Sequence, residues 1–373
     1  MADEGVTESR TAFRDLLVAL QEADERWLSD EWGIADPGSV SDGHRALMHI
    51  LEGALTSHFE SDPLHPDFRR IVTPTRKMTG DNPDAVYFEA PVDPTRVYRI
   101  RGNVAGAVYT SITVEAGAEE GKYATRTAGV INDTQFAIDG AGNYEIVLGG
   151  DDPGDGRDWL ALPPDGARLT TRHYYETPEP VACDPNLVIP LSIEPVAPVG
   201  PPPTWDDASV AAAIRRVVNY VRGKTVEAQK PGELRPDWVS TVPNVFNKPE
   251  VPGDLAFSAF DAAYAMAPYM LGPDEALVIR SSWPRCRFAN VVLWNRFLQT
   301  YDYTNRPVWR NRANTTVDGD GSWRMVVAHE DPGVANWLDT EGRPFGILYW
   351  RWFLPDEEVP TPHTEVVKLR DLR

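Results

Sequence analysis

Arginines are concentrated between residues 280 and 312, where seven of them accompany one acidic residue, Asp302. The window therefore carries +6 in a chain with a net charge of −20. Guanidinium groups bind carboxylate, sulfate or phosphate through paired hydrogen bonds, and aromatic rings can cover the body of such a ligand. Residues i and i+2 share a face of a strand, which pairs the arginines at 285 and 287 and those at 310 and 312. The pattern predicts an anion-binding site formed by Trp283, Arg285, Arg287, Trp309, Arg310 and Arg312. The alternative is that these arginines pair with acidic residues of the first half of the chain or of another subunit.

A candidate acid–base group follows the arginines. His329 and Glu330 stand together, and a histidine titrates near neutral pH, where it can act as a general acid or base. A single histidine is also typical of a hydrogen-bonded loop residue, so both interpretations stay open.

A second pair of candidate catalytic groups is Asp81 and Asp84, with Tyr87 as a candidate ligand contact. Two nearby carboxylates can perform acid–base chemistry or bind Ca²⁺. The Asn-Pro between them is equally typical of a turn before a strand. We predict no metal centre, because the histidines between residues 44 and 65 lack the i, i+4 ligand spacing. We also predict no cofactor, since the chain has no phosphate-binding loop, dinucleotide fingerprint or nucleophile elbow.

The chain contains an internal repeat. Residues 139–153 align without a gap with residues 318–332, and 6 of the 15 positions are identical. The same offset of 179 relates Arg101 to Arg280 and Arg172 to Arg351. A repeat of this length predicts two similar domains rather than a solenoid. Residues found in both copies are expected to build the fold, and residues found in one copy are better candidates for function.

Two β-domains and a few helices are expected to position these residues. Apolar residues at helical spacing predict helices over 8–28, 42–59 and 206–222, and a short helix is possible over 257–270. From Tyr87 onward, short β-rich runs between turn residues predict antiparallel sandwiches. The predicted fold is mainly β with added α: two tandem, related, jelly-roll-like β-sandwich domains and an N-terminal helical segment. Its expected divisions are helical residues 1–64, a first sandwich at 65–176, a proline-rich linker at 177–205, and a helix with the second sandwich at 206–373.

The overall composition limits the possible partners. A charge of −20 repels nucleic acid and anionic membranes, and no apolar stretch approaches the roughly 20 residues that span a bilayer. The acidic start has no apolar signal region, and the only cysteines, Cys183 and Cys286, fall in different repeats. Two cysteines without a disulfide or metal-binding pattern favour a reducing cytoplasm. We expect a cytoplasmic protein that forms a homo-oligomer and binds a small anion, but neither nucleic acid nor membrane.

Two segments resemble a known family. They are GDNPDAVYFEAPVDP with the following YRIRG, and HEDPGVANWL with the following ILYWRWFLP. Together they are similar to bacterial proteins that pair domain of unknown function 1254, divergent in this chain, with domain of unknown function 1214. The resemblance covers roughly residues 65–373 and implies two all-β, sandwich-like domains with added helices. It implies no established reaction and no catalytic residues.

The local chemistry favours an enzyme. We expect it to transform a small anionic or polyhydroxylated molecule without a metal, as a hydrolase or lyase, because this chemistry needs the fewest cofactors. The alternative is a non-catalytic ligand-binding or assembly protein whose arginine patch is a subunit interface.

Overall fold

A computed structural model describes residues 7–117, 119–155, 157–230, 235–253 and 258–372. The protein is mainly β, with four sheets and three α-helices in these ranges. The α-helices are α1 (Glu8–Glu22), α2 (Pro37–Ala54) and α3 (Asp207–Lys224). Shorter helical turns lie at Ala23–Trp27, Asp30–Trp32, Leu55–Phe59, Glu119–Gly121, Val181–Cys183 and Leu369–Leu372. None of the helices in these ranges is long and apolar enough to cross a bilayer.

The three α-helices form one layer. α2 begins at Pro37 rather than at the predicted Asp42, because Asp36 caps it by accepting from the Ser39 amide and proline suits the first helical position. Asp206 caps α3 through a reciprocal pair of hydrogen bonds with Ser209. Apolar residues of α3, which was expected to introduce the second sandwich, pack instead among those of the first two helices. The helical layer therefore combines the N-terminal segment with α3.

The first sandwich consists of two sheets. Sheet A has the order β1-β2-β8-β4-β5, and sheet B has the order β7-β6-β3-β9. Side chains from both sheets meet in one apolar core, which includes Ile100, Ile112 and Leu169. The strands are β1 (Arg69–Arg70), β2 (Ala85–Pro91), β3 (Tyr98–Asn103), β4 (Tyr109–Ala116), β5 (Arg126–Asn132), β6 (Asn143–Leu148), β7 (Trp159–Leu160), β8 (Gly166–Tyr174) and β9 (Leu191–Pro195).

The second sandwich repeats this arrangement. Sheet C has the order β10-β16-β12-β13 and sheet D has the order β15-β14-β11-β17. Apart from the short edge strand β1, each strand has its counterpart in the same place in the first sandwich. Arg101 and Arg280 occupy equivalent central strands, so the predicted duplication of the fold is confirmed. The strands are β10 (Ala262–Met270), β11 (Glu275–Ser282), β12 (Phe288–Trp294), β13 (Trp309–Asn311), β14 (Ser322–Ala328), β15 (Trp337–Asp339), β16 (Phe345–Phe353) and β17 (His363–Lys368).

Two regions differ from the sequence expectations. The segment 177–205, expected to be a linker, contributes edge strand β9 to sheet B, so the first sandwich extends to Pro195. The possible helix over 257–270 is wrong where it is described, because Ala262–Met270 forms β10. Its alanines face large side chains of β16, with Ala263 opposite Trp352 and Ala265 opposite Trp350. Small residues on this strand leave room for the indole rings, and packing therefore outweighs the helix preference of alanine.

The outer faces of sheets A and C pack against each other through Tyr109, Tyr174, Phe288 and Phe353. Two equivalent aspartates link the sandwiches in a reciprocal way. Asp84 of the first sandwich accepts hydrogen bonds from Asn290 and Asn311 of the second, at 2.8 and 2.9 Å. Asp261 of the second accepts from Tyr109 and Asn132 of the first, at 2.8 and 2.5 Å. Because Asn132 and Asn311 are also repeat equivalents, the contact has an approximate twofold symmetry that fixes how the sandwiches sit together.

Candidate functional site

The arginines predicted to bind an anion are distributed over several contacts. Arg312 donates two hydrogen bonds of 2.7 Å to Glu176, and Arg287 lies 3.4 Å from Asp133. Both acids belong to the first half of the chain. These two arginines therefore stabilise the contact between the sandwiches, which is the alternative raised by the sequence.

The other members of the predicted set lie apart from these two. The side chain of Arg285 is 75% exposed and lies 3.7 Å from Glu357. Arg310 donates to the Trp337 carbonyl at 2.8 Å, and Trp283 packs in the second core. Trp309 contacts the second group of candidate residues, because its indole N–H donates to Asp84 at 3.0 Å. The window does not form one converging site.

His329 and Glu330 also lie outside a common site. The His329 Nδ1 is 2.6 Å from the Thr340 hydroxyl and its Nε2 is 3.4 Å from the Leu271 carbonyl. Glu330 is exposed at the end of β14. His329 thus has the contacts of a hydrogen-bonded loop residue, and its acid–base role stays a prediction.

Asp81, Asp84 and Tyr87 do lie together, in the contact between the sandwiches. Asp81 accepts hydrogen bonds from the amide and hydroxyl of Thr300, and Lys77 lies 3.8 Å away. Burial raises the pKa of Asp84 to about 7, against the opposing effect of its three side-chain donors. Tyr87 and Tyr174 share a hydrogen bond of 2.9 Å. Because Asp261 repeats the arrangement of Asp84, the structure favours the structural interpretation of Asp84.

A second group of buried polar residues lies on the outer face of sheet A. We call Glu89, Glu115, Arg168 and Arg172 the charged face; these residues are 5%, 0%, 7% and 4% exposed. Strands β2, β4 and β8 bring them together, since residues of one face alternate along each strand. The Arg168 guanidinium is 3.1 Å from Glu89, and that of Arg172 is 3.6 Å from Glu115.

The charged face is largely confined to one copy of the repeat. The register of sheet C places Met266, Trp294 and Ile347 at the positions of Glu89, Glu115 and Arg168, and only Arg172 keeps its type, as Arg351. Removing two charges from water carries a penalty of several kcal/mol per ion. The second copy forms the same sheet without that penalty. Folding of the sandwich therefore does not require Glu89, Glu115 and Arg168 to be charged.

Local irregularity marks the same place. The pairing of β4 shifts register beside Glu115 with both of its neighbours, which indicates a bulge. Bulges redirect side chains and are frequent beside active sites. Thr170 lies on β8 between Arg168 and Arg172, and its buried hydroxyl has no hydrogen-bond partner among the described residues. This hydroxyl is available to a bound molecule.

The helical layer covers one end of the charged face. Arg168 donates to the Ser57 carbonyl at 3.0 Å and its guanidinium lies 3.4 Å from His58 Nδ1. The His58 ring packs against Tyr220 of α3, with the ring centres 4.7 Å apart and the planes tilted by 39°. Burial and the neighbouring arginines Arg168 and Arg216 hold the pKa of His58 well below its usual value. His58 is therefore neutral at pH 7 and can take part in hydrogen bonds without adding charge.

Lys224, in the last turn of α3, extends towards the same place. Its ammonium nitrogen lies 3.2 Å from the centre of the Tyr123 ring. Loss of water lowers the pKa of Lys224 to about 7, although Glu89 of the charged face opposes the shift. A narrow crevice reaches Lys224 from the α2 side, lined by His49, Ser57, Lys77 and Tyr220 among others. The crevice is about large enough for one water molecule, and a water there lies beside an amine that can gain or lose a proton at neutral pH.

Sequence reasoning missed the charged face and Lys224. The signal that could have found Glu115 and Arg168 is the repeat itself, since the offset of 179 aligns them with Trp294 and Ile347. Among the described residues, no group of three or more histidine, cysteine, aspartate or glutamate side chains is arranged to hold a metal ion.

The proteins to which the chain is similar are described as being of unknown function. The profile of a family described as "Protein of unknown function (DUF1214)" matches residues 290–357, within the second sandwich. An uncharacterised protein from Burkholderia cenocepacia has a crystal structure that is similar over 97% of this chain and 98% of its own, with 27% identity and a TM-score of 0.82. No curated protein matches.

A more distant structure shares the fold alone. The VPA0106 protein from Vibrio parahaemolyticus is 14% identical, with a TM-score of 0.50 over 78% of this chain and 90% of that one. The resemblance of the first half to domain of unknown function 1254 stays a prediction. These names describe no reaction, and the functional argument depends on the site.

Proposed function

We propose that the protein is an enzyme that transforms a small anionic molecule on the charged face of sheet A, as a metal-independent hydrolase or lyase. The observation that carries the proposal is the presence of buried charges in one copy where the other copy has Met266, Trp294 and Ile347. Departures from local folding rules of this kind are expected at functional sites.

Each group in the site has a proposed role. Arg172 and the Thr170 hydroxyl bind the oxyanion of the substrate, and Lys224 is the general acid or base. A catalytic group is most effective when its pKa lies near the working pH, and the value of about 7 for Lys224 meets that condition. Arg168 neutralises Glu89 and joins it to the helical layer. No step needs an oxidant, a reductant or a cofactor.

The cellular setting in this proposal is the cytoplasm. Cys183 and Cys286 are both free thiols, which suits a reducing compartment. A homo-oligomer also remains part of the proposal.

The proposal is tested by conversion of a compound panel. The full chain is incubated with small carboxylates and small phosphate esters, and loss of each compound is followed by mass spectrometry. We expect one class to be converted, and Lys224→Met to slow the conversion about 10²- to 10⁴-fold, the usual contribution of a general acid or base. The control is Lys248→Met, at a lysine whose side chain is 64% exposed, which should convert at the unmodified rate. Binding without conversion of any compound, or equal rates in both variants, would contradict the enzyme proposal.

The titration of Lys224 is a separate prediction. A small amine-reactive acylating reagent reacts only with the neutral amine. Lys224 should therefore reach half of its maximal labelling rate near pH 7. Lys248 is the internal reference, because the carboxylate of Glu358 raises its pKa and keeps it protonated there. Labelling is measured peptide by peptide after digestion. A Lys224 profile that follows that of Lys248 would show that the amine has no special environment.

A further inference from the structure

An open cleft of about 720 Å³ lies on the second sandwich, away from the charged face. It is formed where β11 and β14 meet the loops around residues 316–318 and 360–361. Arg280 and Arg324 line it and occupy directly opposite positions on these two strands. On the other side of Arg280, the opposite residue on β17 is His363. Like charges in directly opposite positions destabilise a sheet, so this row is unfavourable for folding.

The equivalent row of the first sandwich has its charges neutralised. Arg101 is opposite Glu145, at 2.8 Å, and also lies 2.9 Å from Glu194. In the second sandwich the position of Glu145 is taken by Arg324. Arg280 has one acidic partner, Glu365 at 3.3 Å, and no carboxylate of the described residues lies within 4 Å of Arg324. Within the part of the chain that the structure describes, Arg324 of the second copy is therefore an arginine without an ion-pair partner.

The rest of the lining is polar and suits a hydroxylated molecule. Asp318 lines the cleft as a hydrogen-bond acceptor, and Asn336 borders it with its amide bonded to the backbone of Thr316 and Arg324. Five hydroxyl side chains also line it: Ser281, Ser282, Thr316, Ser322 and Thr361. A carboxylate and several hydroxyls are groups that hydrogen-bond the hydroxyls of a sugar.

We propose that this cleft binds a polyhydroxylated small molecule bearing one oxyanion, with Arg324 and Arg280 on the oxyanion and Asp318 accepting hydrogen bonds from ligand hydroxyls. Arg324 specifies the anion, because the same position is acidic in the first copy. The inference is independent of the reaction proposed for the charged face.

Calorimetric titration of the full chain tests the inference. The probes are glucuronate, glucose 6-phosphate, glucose and inorganic phosphate, which separate carboxylate from phosphate and the oxyanion from the hydroxylated body. We expect one of the two charged sugars to bind at least tenfold more tightly than either glucose or inorganic phosphate. Arg324→Glu should weaken that binding about 10- to 100-fold, as the loss of one charge-assisted contact predicts. Its melting temperature should not fall, because a glutamate there pairs with Arg280 as Glu145 does with Arg101.

The matched control is Arg370→Glu, at an 84% exposed side chain near the opposite end of β11 and β17. It makes the same charge change and should leave binding unchanged. If Arg370→Glu and Arg324→Glu weaken binding equally, the effect comes from the overall charge of the protein, and the proposal is overturned. If inorganic phosphate binds as strongly as the charged sugars, the cleft binds an adventitious ion only, and this would overturn the proposal. Failure of both charged sugars to bind at millimolar concentration would also overturn it. If Arg324→Glu has a lowered melting temperature, Arg324→Gln is used for the same binding measurement.

Discussion

Glu89→Met alone is expected to destabilise the protein by about 3–5 kcal/mol, because it leaves Arg168 buried without its carboxylate. For a chain of 373 residues, unfolding entropy scales to roughly 0.8 kcal/mol per degree, so the melting temperature should fall by about 4–6 °C. Adding Arg168→Ile should restore most of the loss, since the pair then becomes the Met266 and Ile347 of the second copy. Replacing a buried ion pair by apolar residues is often neutral or stabilising.

Scanning calorimetry of the two single variants and the double variant measures these effects. The residual cost in the double variant should be about 1 kcal/mol, from the Ser57 carbonyl that loses its donor. The matched control is the exposed pair Arg101 and Glu145, where Arg101→Ile with Glu145→Met should change stability by less than about 1 kcal/mol. A double variant that melts as low as the Glu89 single variant would mean that folding requires the charges.

Asp84→Ala should be the most destabilising change in the contact between the sandwiches. It removes the acceptor of one buried N–H on each of Asn290, Asn311 and Trp309, although the two amides keep a second acceptor each. At about 1–3 kcal/mol for each unsatisfied group, the loss should be on the order of 3–6 kcal/mol after partial relaxation. The equivalent change, Asp261→Ala, leaves two donors and should cost less.

The pH dependence of Asp84→Ala adds an independent check. The folded-state pKa of Asp84 is about 7, above its ordinary value of 3.8, so the folded protein holds this proton more tightly than the unfolded chain. The contribution of Asp84 to stability is therefore largest at low pH and falls as pH rises from about 4 to 7. The difference in melting temperature between the unmodified protein and Asp84→Ala should widen from pH 8 to pH 5. A difference that is the same at both values would show that the pKa of Asp84 is not raised.

The duplicated fold could be predicted because both copies of the repeat contain turn residues and alternating apolar residues. These patterns determine turns and strands locally. The aligned residues 139–153 and 318–332 contain the equivalent strands β6 and β14, and this established which strands correspond. The extent of the first sandwich could not be predicted in the same way. β9 lies in proline-rich sequence, and it is a strand only because the open edge of β3 pairs with it.

The sites were harder to predict because the net charge of consecutive residues does not show which residues the fold brings together. The Glu89–Arg168 pair is neutral in sum and separated by 79 residues, and only the register of sheet A brings its members within 3.1 Å. The arginine window was conspicuous because its acidic partners lie elsewhere: Asp133 and Glu176 precede it by more than 100 residues. Local sequence shows an unbalanced charge, but the tertiary fold decides which acid balances it.

The most direct test of the account is conversion of the compound panel by the double variant Glu89→Met/Arg168→Ile, measured with its melting temperature on the same preparation. The account predicts a melting temperature within about 2 °C of the unmodified protein and a clearly reduced conversion at pH 7, because Glu89 opposes the lowering of the pKa of Lys224. Unchanged conversion by a stable double variant would contradict it, because the buried charges would then have no part in the reaction. A fall in melting temperature as large as that of Glu89→Met alone would equally contradict it, because the charges would then serve the fold.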